Sequence, residues 1–324
     1  MLHPGETNVV RSRGSFMTGY YPYHLGLQEL FADHAVQIIN NVDPSTQPLF
    51  LYLPFQAVHD PLQVPDKYMS HYPTHLRQDR RSLLGMVTAI DDAVGKIVDR
   101  LRQRGFLQNA LLVFTTDNGG NPHFGSSNFP LRGAKGSLWE GGTRGAAFVY
   151  SETLLKKTGY VNNGLMHAVD WYPTFLTLAG GNPASSIDGV NQWLSLSEGH
   201  NSSRTEFLYN IDEVTNSSAI RVGKYKVTHN AGGTHSLRPH NQTGVVSPLI
   251  VPTPMFTSEY QLFDLENDPL ENIDLSSQLP DVLENLKSKL ALYQQTLVPA
   301  VGTSPRVPEA DASNFNGAWS PGWC

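Results

Sequence analysis

The sequence lacks internal cysteines, long apolar runs and a visible signal-peptide core. Its single cysteine, Cys324, is the last of 324 residues, so no disulfide can form within the chain. No apolar run approaches the ~20 residues that a membrane-spanning helix needs. The first residues, MLHPGETNVVRSRGS, contain no apolar segment of the kind that a signal peptide carries. The sequence therefore predicts neither a membrane span nor a secretory leader.

Charged residues are also few, at 16% of the chain. Lys and Arg number 23 against 29 Asp and Glu, and the resulting net charge of −6 argues against a general nucleic-acid-binding protein. Hydrophobic residues make up 40%, enough for a sizeable core in one large or two unequal domains. Three sequons, at Asn201, Asn216 and Asn241, are candidate glycosylation sites if the chain enters the secretory pathway.

Apolar patterns in the first half predict an α/β domain. Two short apolar runs, Leu49–Leu53 and Ala110–Thr115, are typical of buried strands. Between them an amphipathic helix is predicted to end at Gly105, with one apolar face made of Leu83, Val87, Ile90, Val94, Ile97 and Leu101. Strand, helix and strand in this order predict a right-handed crossover in a parallel sheet. Further helices are predicted around Glu29–Asn40 and, with Asp170 as N-cap, from Asp170 to near Gly180.

The pattern changes near residue 199, which predicts a first domain of residues 1–199 and a second of residues 200–324. The second contains short strand-like pieces such as Ala219–Thr228, in which Gly223 predicts a turn or bulge. A later helix is predicted to present one apolar face, made of Leu283, Leu286, Leu290 and Tyr293. A small antiparallel sheet with a covering helix is therefore predicted for the second domain.

The most informative stretch is FTTDNGGNPHFGSSNFPLRGAKGSLWEGGTRG, from Phe114 to Gly145. Asp117 and Asn118 directly follow a predicted strand, and ligands of α/β sheets bind outside the carboxyl ends of strands. Carboxylate and amide oxygens are hard donors that suit Ca²⁺ or Mg²⁺. The alternative is an ordinary Asp-Asn-Gly-Gly turn, and a metal needs more ligands than this pair.

Two basic side chains are candidates for binding an anion at the same edge. Lys135 lies in a glycine-rich loop, where it can act as a mobile point charge or simply be a solvated lysine. His59 follows the predicted strand Leu49–Leu53, where it can donate to an anion or act as a general acid, or merely cap a turn. The convergence of His59, Lys135 and Asp117 on one edge favours a binding site.

Four blocks of sequence, LYLPFQAVHDPLQVPDKY, TTDNGG, LRGAKGSLWEGGTRG and DWYPTFLTLAGG, resemble the sulfatases, most closely the branch of arylsulfatases B, I and J. The similarity runs from about Arg13 almost to the C-terminus. It implies an alkaline-phosphatase-like α/β fold, with a large mixed sheet flanked by helices, and a small C-terminal antiparallel-sheet domain. It also implies hydrolysis of sulfate esters, on sulfated carbohydrates such as glycosaminoglycan sugars or on aryl sulfates, in a lysosomal or secreted setting.

The resemblance assigns roles to individual residues. Asp117 and Asn118 match two ligands of a Ca²⁺ that polarises the sulfate. His59 and Lys135 match sulfate-binding residues, and His59 matches a proton donor to the leaving group. Arg13 matches the arginine that closes the family's Cys-x-Pro-Ser-Arg motif, whose cysteine is converted to the nucleophilic formylglycine.

The nucleophile position departs from the family pattern. Alignment of RGSFMTGYYPYHLGLQ places Val9 where the cysteine belongs and Arg11 where the proline belongs, and valine cannot become formylglycine. The family's first strand, which ends in an Asp-Asp pair of metal ligands, is expected to precede this sequence. A segment with a Lys and a His of the sulfate site is expected between Gln28 and Glu29, where the sequence has none. These differences predict weak Ca²⁺ binding, since two oxygens fall short of six to eight ligands, and an exposed, less stable sheet edge.

Three functions follow from these observations. The first is an arylsulfatase-type sulfuric ester hydrolase that uses Ca²⁺. The second is a non-catalytic sulfatase-like protein that binds sulfated glycans, which Val9 favours. The third is a phosphoesterase of the same superfold, against which the blocks VHDPL and LRGAKGSLWEGG favour the sulfatase branch. The sequence does not determine the sugar, the position of its sulfate or the oligomeric state.

We predict that this chain releases no 4-nitrocatechol from its sulfate, with or without the substitution Val9→Cys. Valine supplies no aldehyde hydrate, and Arg11 breaks the motif that the converting enzyme recognises, so a new cysteine stays a thiol. Groups that act as a unit lose activity together, so restoring one recovers little. The assay is run at mildly acidic pH with a complete homologue as positive control. Turnover above that of a Lys135→Ala variant would contradict the prediction.

Overall fold

The structure is a computed structural model, and it describes residues 27–232, 236–237, 250–251, 256, 258–299 and 308–316. Four residues that the sequence singles out, Val9, Arg11, Arg13 and Asn241, lie outside these ranges. Within the described residues, no helix combines the length and the apolar character needed to cross a membrane.

Two long helices build the core of the first half. Helix α1 (Leu27–Asn41) packs against helix α3 (Gln78–Gln103), and the short helix α2 (Asp66–Met69) lies between them in the chain. Their shared core consists of Ala32, Ala35, Ile39, Ala93, Ile97, Leu101 and Leu107. Gly105 takes a left-handed φ of 80° just after α3, which only glycine adopts readily. The helix predicted around Glu29–Asn40 and the amphipathic helix predicted to end at Gly105 are both confirmed.

The segment Leu49–Leu53 is not a hydrogen-bonded strand, so that prediction is wrong. It does show the alternating burial of a strand: its three leucines pack against the core of α1 and α3, whereas Phe50 and Tyr52 are 78% and 77% exposed. No strand pairs with it in the part of the chain that the structure describes. Packing of one face therefore fixes the side-chain alternation without the backbone ladder that defines a strand.

Strand β1 (Leu112–Thr115) pairs antiparallel with strand β2 (Ala147–Tyr150), and the short helix α4 (Glu140–Thr143) lies between them in the chain. Phe114 stacks on Phe148 across the pair, with ring centroids 5.4 Å apart. The predicted parallel crossover is wrong for the described residues, where every strand pair is antiparallel. The partner of β1 is the strand that returns from the glycine-rich loop. The large mixed sheet that the resemblance implied is likewise not formed by these residues, whose sheets have two, four and two strands.

Helix α5 (Trp171–Leu178) confirms the helix predicted after Asp170, and Gly180 follows it with a left-handed φ of 85°. The carboxylate of Asp170 does not cap this helix, contrary to the prediction. It is fully buried and accepts hydrogen bonds from Arg204, at 2.8 Å from Nε and 2.5 Å from Nη2. Burial alone would raise the pKa of Asp170, but Arg204 and two backbone N–H donors outweigh it and lower the pKa.

The C-terminal part is a four-stranded antiparallel sheet covered by a helix, as predicted. Helix α6 (Trp193–Glu198) precedes it. The sheet order is β3–β4–β5–β8, where the strands are Glu206–Asp212, Ser217–Val222, Tyr225–His229 and Tyr260–Asp264. The intervening strands β6 and β7, Ser236–Leu237 and Ile250–Val251, pair with each other. Gly223, with φ of 55°, forms the turn between β4 and β5. The domain boundary near residue 199 stays a prediction.

Helix α7 (Pro280–Gln295) covers this sheet through the face that its apolar spacing predicted. Leu286 and Leu290 are each 3% exposed and pack against residues of the sheet such as Ile220, Val227 and Leu262. Removing the Leu286 side chain therefore leaves a cavity between helix and sheet, whereas Leu292 on the same helix is 62% exposed.

We predict that Leu286→Ala lowers the free energy of unfolding by about 2–5 kcal/mol, the usual cost of a buried leucine. The matched control Leu292→Ala removes the same atoms from an exposed position and changes stability by no more than about 0.5 kcal/mol. Urea unfolding followed by circular dichroism measures both. Equal losses for the two variants would show that the helix does not pack on the sheet through this face.

Candidate functional site

The DNGG segment after β1 and the glycine-rich loop, residues 132–145, interlock through their backbones. Gly119 N–H donates to the Gly142 carbonyl at 2.9 Å, and Lys135 N–H donates to the Gly120 carbonyl at 3.1 Å. The side chain of Asn128 braces the same point, accepting from Gly120 N–H at 2.7 Å and donating to the Gly120 carbonyl at 2.8 Å. The position of Lys135 in the chain is therefore tied to the end of β1.

Glycine is required where the two segments meet. A Cβ on Gly119 would lie 1.8 Å from the Gly141 carbonyl oxygen, and one on Gly142 would lie 2.4 Å from the Ala134 carbonyl oxygen. Both obstacles are backbone atoms, so no side-chain movement can relieve the overlap. The sequence pattern of repeated glycines in TTDNGG and WEGG thus reflects close approach of backbone to backbone.

His59, Asp117, Asn118 and Lys135 all line one open cleft of about 4260 Å³. A typical small-molecule pocket measures about 300–1,000 Å³, so the shared cleft places the four residues on one surface rather than in one small pocket. Asp117 lies two residues after the end of β1, as expected for a ligand-binding position outside a strand end. Their convergence on a single anion stays a prediction.

His59 is held through one side of its ring. Its side chain is 62% exposed, and Nδ1 lies 2.8 Å from the carbonyl oxygen and 3.1 Å from Oδ1 of the neighbouring Asp60. A ring that donates through Nδ1 must be protonated to donate through Nε2 as well. His59 can therefore donate from Nε2 to an anion only as the imidazolium ion, which also contributes a positive charge.

Asp117 and Asn118 do not complete a calcium site. Asp117 Oδ1 already accepts from Asn118 N–H at 2.9 Å, and Asn118 Nδ2 donates to the Gly119 carbonyl at 2.7 Å. Across residues 27–232 and the other described segments, no group of three or more His, Cys, Asp or Glu side chains is placed to hold a metal ion. Two side-chain oxygens do not fit the six to eight ligands of Ca²⁺. The described residues therefore support no catalytic step through a metal.

Another histidine of the cleft, His167, was not predicted from the sequence. It lines the cleft, and its Nδ1 accepts from Val169 N–H at 3.3 Å. Burial and then the nearby Arg204 charge lower the pKa of His167, which favours the neutral ring. In the sequence, His167 lies three residues before the predicted N-cap Asp170, and no motif there indicated a functional role for it.

A buried cluster of charges anchors the glycine-rich loop to the C-terminal sheet. The ammonium of Lys226, on β5, lies 3.0 Å from Glu140 Oε1 and 2.7 Å from Glu271 Oε1, and all three side chains are at most 5% exposed. The contact with Glu140 is a hydrogen bond, and the contact with Glu271 is a short ion pair. Tyr209 Oη donates to Glu140 Oε1 at 2.7 Å.

The two carboxylates of this cluster have different electrostatic surroundings. Burial would raise the pKa of Glu140, but the charge of Lys226 and the hydrogen bonds from Tyr209 and Lys226 outweigh it, so the pKa lies below its usual value. Burial raises the pKa of Glu271, and the neighbouring Glu140 adds to the effect. Glu140 is accordingly the carboxylate that carries its charge most firmly.

Trp139 and Arg132 extend the same anchor. The Arg132 guanidinium lies 4.0 Å from the Trp139 ring centroid and donates from Nη1 to the Glu271 carbonyl at 3.0 Å. Trp139 packs edge-on against Phe263 of β8, with centroids 5.6 Å apart, and its Nε1 donates to the Gly232 carbonyl at 2.8 Å. One end of the loop is thus built into the C-terminal sheet.

Two of the candidate glycosylation sites are accessible. Asn201 and Asn216 are both exposed, and Asn216 lies in the turn between β3 and β4 with a positive φ of 49°. Asn241 lies outside the described residues. Glycosylation of these positions stays a prediction.

The chain matches the protein-family model described as Sulfatase over residues 5–181. It is 35% identical to arylsulfatase J of Mus musculus, an alignment that covers 90% of this chain and 52% of the relative. It is 29% identical to the N-acetylgalactosamine-6-sulfatase of Rattus norvegicus, covering 92% of this chain and 57% of that relative. The chain thus spans about half the length of the curated relatives it matches.

Solved structures show the same likeness. The chain superposes on the crystal structure of Ps i-CgsB in complex with k-i-k-neocarrahexaose with a TM-score of 0.68 and 29% identity, covering 82% of this chain and 54% of that one. For the PsFucS1 sulfatase from Pseudoalteromonas sp. the TM-score is 0.66 at 26% identity, covering 83% of this chain and 52% of that one. This likeness shows that the chain has the alkaline-phosphatase-like fold of sulfatases. The chain belongs to the sulfatase family.

We predict that Gly119→Ala lowers the free energy of unfolding by about 1–3 kcal/mol, the usual cost of overpacking. The added methyl group meets the Gly141 carbonyl, which the backbone hydrogen bonds of the loop hold in place. Gly95→Ala in α3 is the matched control: nothing lies within 4 Å of its Cβ, and the change stabilises a helix by about 0.5–1 kcal/mol. Urea unfolding compares the two, and an unchanged midpoint for Gly119→Ala would contradict the interlock.

Proposed function

We propose that this chain binds sulfate esters of carbohydrates in the cleft next to β1 and does not hydrolyse them. The observation that carries the proposal is the interlock of the two family motifs, which ties the backbone of Lys135 to Gly120, three residues beyond Asp117. Lys135 is exposed at this point, on the surface that His59 also lines. The surroundings match what an anion needs: a cationic side chain on a backbone fixed in place.

The chemistry of a sulfate monoester fits such a site. Its single negative charge is spread over three terminal oxygens, so several donors can share it. The ammonium of Lys135 offers three N–H donors, and the imidazolium form of His59 offers one from Nε2. Charge-assisted hydrogen bonds of this kind are roughly twice as strong as neutral ones. Lys135 is therefore expected to contribute most of the discrimination between a sulfated and an unsulfated sugar.

Family membership supports a carbohydrate as the bearer of the sulfate. One relative is named as an N-acetylgalactosamine-6-sulfatase, and one solved neighbour is described in complex with a neocarrahexaose. The match to arylsulfatase J supports placement in the branch of arylsulfatases B, I and J. The same matches favour a sulfate over a phosphate ester as ligand.

Binding without hydrolysis follows from the aligned nucleophile. Val9 stands where the family's cysteine is converted to formylglycine, and a valine side chain has no atom that can attack sulfur. The described residues also do not assemble the ligands of a metal that would polarise the sulfate. Asp117 and Asn118 would contribute to such a site only together with further donors.

We predict that the chain binds a sulfated N-acetylgalactosamine and that Lys135→Ala weakens this binding at least about tenfold, which corresponds to about 1.4 kcal/mol. Isothermal titration calorimetry measures the affinity. The matched control is Lys96→Ala, since Lys96 is exposed on α3, pairs with Asp33 and does not line the cleft. The Lys96→Ala variant is expected to bind the sulfated sugar with the same affinity as the unsubstituted chain.

The comparison ligands are unsulfated N-acetylgalactosamine and the corresponding sugar phosphate. The proposal predicts no measurable binding of the unsulfated sugar and weaker binding of the phosphate. Equal affinity for sulfated and unsulfated sugar would contradict recognition of the sulfate. Unchanged affinity of Lys135→Ala would contradict the role of Lys135, and tighter binding of the phosphate would favour a phosphoester ligand.

A further inference from the structure

Lys226 lies where a lysine is costly, in the interior of the protein. Its side chain is fully buried on β5, and its ammonium lies 4.2 Å from the centre of the Tyr209 ring and within 3.0 Å of two carboxylates. Breaking a buried ion pair is strongly destabilising, but replacing the whole pair by apolar side chains is often neutral. Stability alone therefore does not explain a charge at this position.

The partner that matters belongs to the glycine-rich loop. Glu140 is the first residue of α4, and its backbone N–H donates to Glu271 Oε2 at 2.8 Å while its carboxylate accepts from Lys226. Both the backbone and the side chain of Glu140 are therefore fixed by the cluster. The neighbouring Trp139 also holds the loop on the sheet, by packing against Phe263 and by the hydrogen bond from its Nε1 to the Gly232 carbonyl.

Backbone hydrogen bonds link the residues next to Glu140 to the cleft. Gly141 N–H donates to the Arg132 carbonyl at 2.6 Å, and the Gly142 carbonyl accepts from Gly119 N–H at 2.9 Å. The same loop reaches Gly120 again through Lys135 N–H. Because each of these backbone hydrogen bonds includes a glycine, and a Cβ on Gly119, Gly141 or Gly142 would overlap backbone atoms, a shift of Glu140 is expected to move both segments that form the candidate site.

The charges of the cluster balance. Lys226 and Arg132 contribute two positive charges, and Glu140 and Glu271 contribute two negative charges, all on residues that are at most 4% exposed. Removing Lys226 therefore leaves the carboxylates of Glu140 and Glu271 without the ammonium that lies within 3.0 Å of both, so the two carboxylates repel each other. The repulsion falls on Glu140, the residue that starts α4.

We infer that Lys226 is a positioning residue of the sulfate-binding loop: its buried ammonium holds Glu140, and through Glu140 it sets where Lys135 and the DNGG segment stand. This inference rests on the proposed function only in taking the ligand of the loop to be a sulfate ester. The positional effect itself concerns the loop and can be measured without any ligand.

Hydrogen–deuterium exchange, followed by mass spectrometry on the full chain, tests the positional effect. In Lys226→Met, amides of residues 117–120 and 132–145 are expected to exchange about 100-fold faster, the order of a broken buried ion pair. Amides of α3 are expected to keep their rates, because α3 has no contact with the cluster. Lys224→Met is the matched control: Lys224 lies on the same hairpin and pairs with Asp264 at 2.6 Å, but at a partly exposed position.

A uniform acceleration across α3 and the loop would show that Lys226 acts only on global stability and would overturn the inference. Unchanged rates in the loop would overturn it as well. If Lys226→Met does not fold, Glu140→Gln provides the test, since it removes the charge on the loop side and leaves Lys226 paired with Glu271. Faster exchange confined to the same two segments supports the inference, and any other pattern contradicts it.

Calorimetry with sulfated N-acetylgalactosamine then connects the loop to the ligand. Lys226→Met is expected to weaken binding at least about tenfold at a temperature where the variant is folded, and Lys224→Met to leave it unchanged. If the unsubstituted chain binds no sulfated sugar, the proposed function fails while the exchange result still decides the inference. If binding is present but Lys226→Met binds as tightly as the unsubstituted chain, the inference fails and the proposed function stands.

Discussion

The buried contact between Lys226 and Glu140 is the interaction on which the arrangement of the cleft depends. The two motif segments at the cleft are rich in glycine and are joined to each other by backbone hydrogen bonds. Such a loop has no stiffness of its own, because glycine loses the most conformational freedom on folding. Its position must therefore be imposed from outside. The C-terminal part does so through two adjacent residues, Trp139 by packing and a hydrogen bond, and Glu140 by charge.

This arrangement explains why one fold joins a helical α/β part to a small antiparallel sheet. The sheet carries no residue that the sequence predicts to contact the ligand, yet β5 supplies Lys226 and β3 supplies Tyr209 to the cluster behind the loop. A second buried pair, between Asp170 and Arg204, joins the start of α5 to the chain just before β3. The C-terminal sheet thus acts as the support of the site rather than as a separate module.

Local patterns in the sequence predicted local structure well. Apolar spacing predicted α3 and α7, and the glycines Gly105 and Gly180 marked the ends of α3 and α5, because those features act within one helix. The interpretation of Leu49–Leu53 as a strand in a parallel sheet was wrong, since pairing depends on which backbone lies alongside. Side-chain alternation in this segment reflects packing against α1 and α3, which a strand pattern alone does not distinguish from a paired strand.

The candidate site likewise combines residues that local sequence patterns predict with residues that they do not. Asp117, Asn118 and Lys135 could be selected from their glycine-rich surroundings, and His59 from its place after an apolar run. The residues that hold them could not, because Glu140 meets Lys226 across 86 positions and Glu271 across 131. In the sequence, Lys226 stands in the alternating run YKVT, where a lysine is usually on the solvent face. Only the tertiary fold shows that it is buried with two carboxylates.

The central proposal is that the cleft beside β1 recognises a sulfate group through Lys135, whose loop is held in place by the C-terminal sheet. A crystal structure of the full chain with a sulfated N-acetylgalactosamine tests this most directly. We expect a sulfate oxygen to lie within about 2.7–3.2 Å of Lys135 Nζ, with the ester bond intact. A sulfate bound away from Lys135, or a cleaved ester, would contradict it.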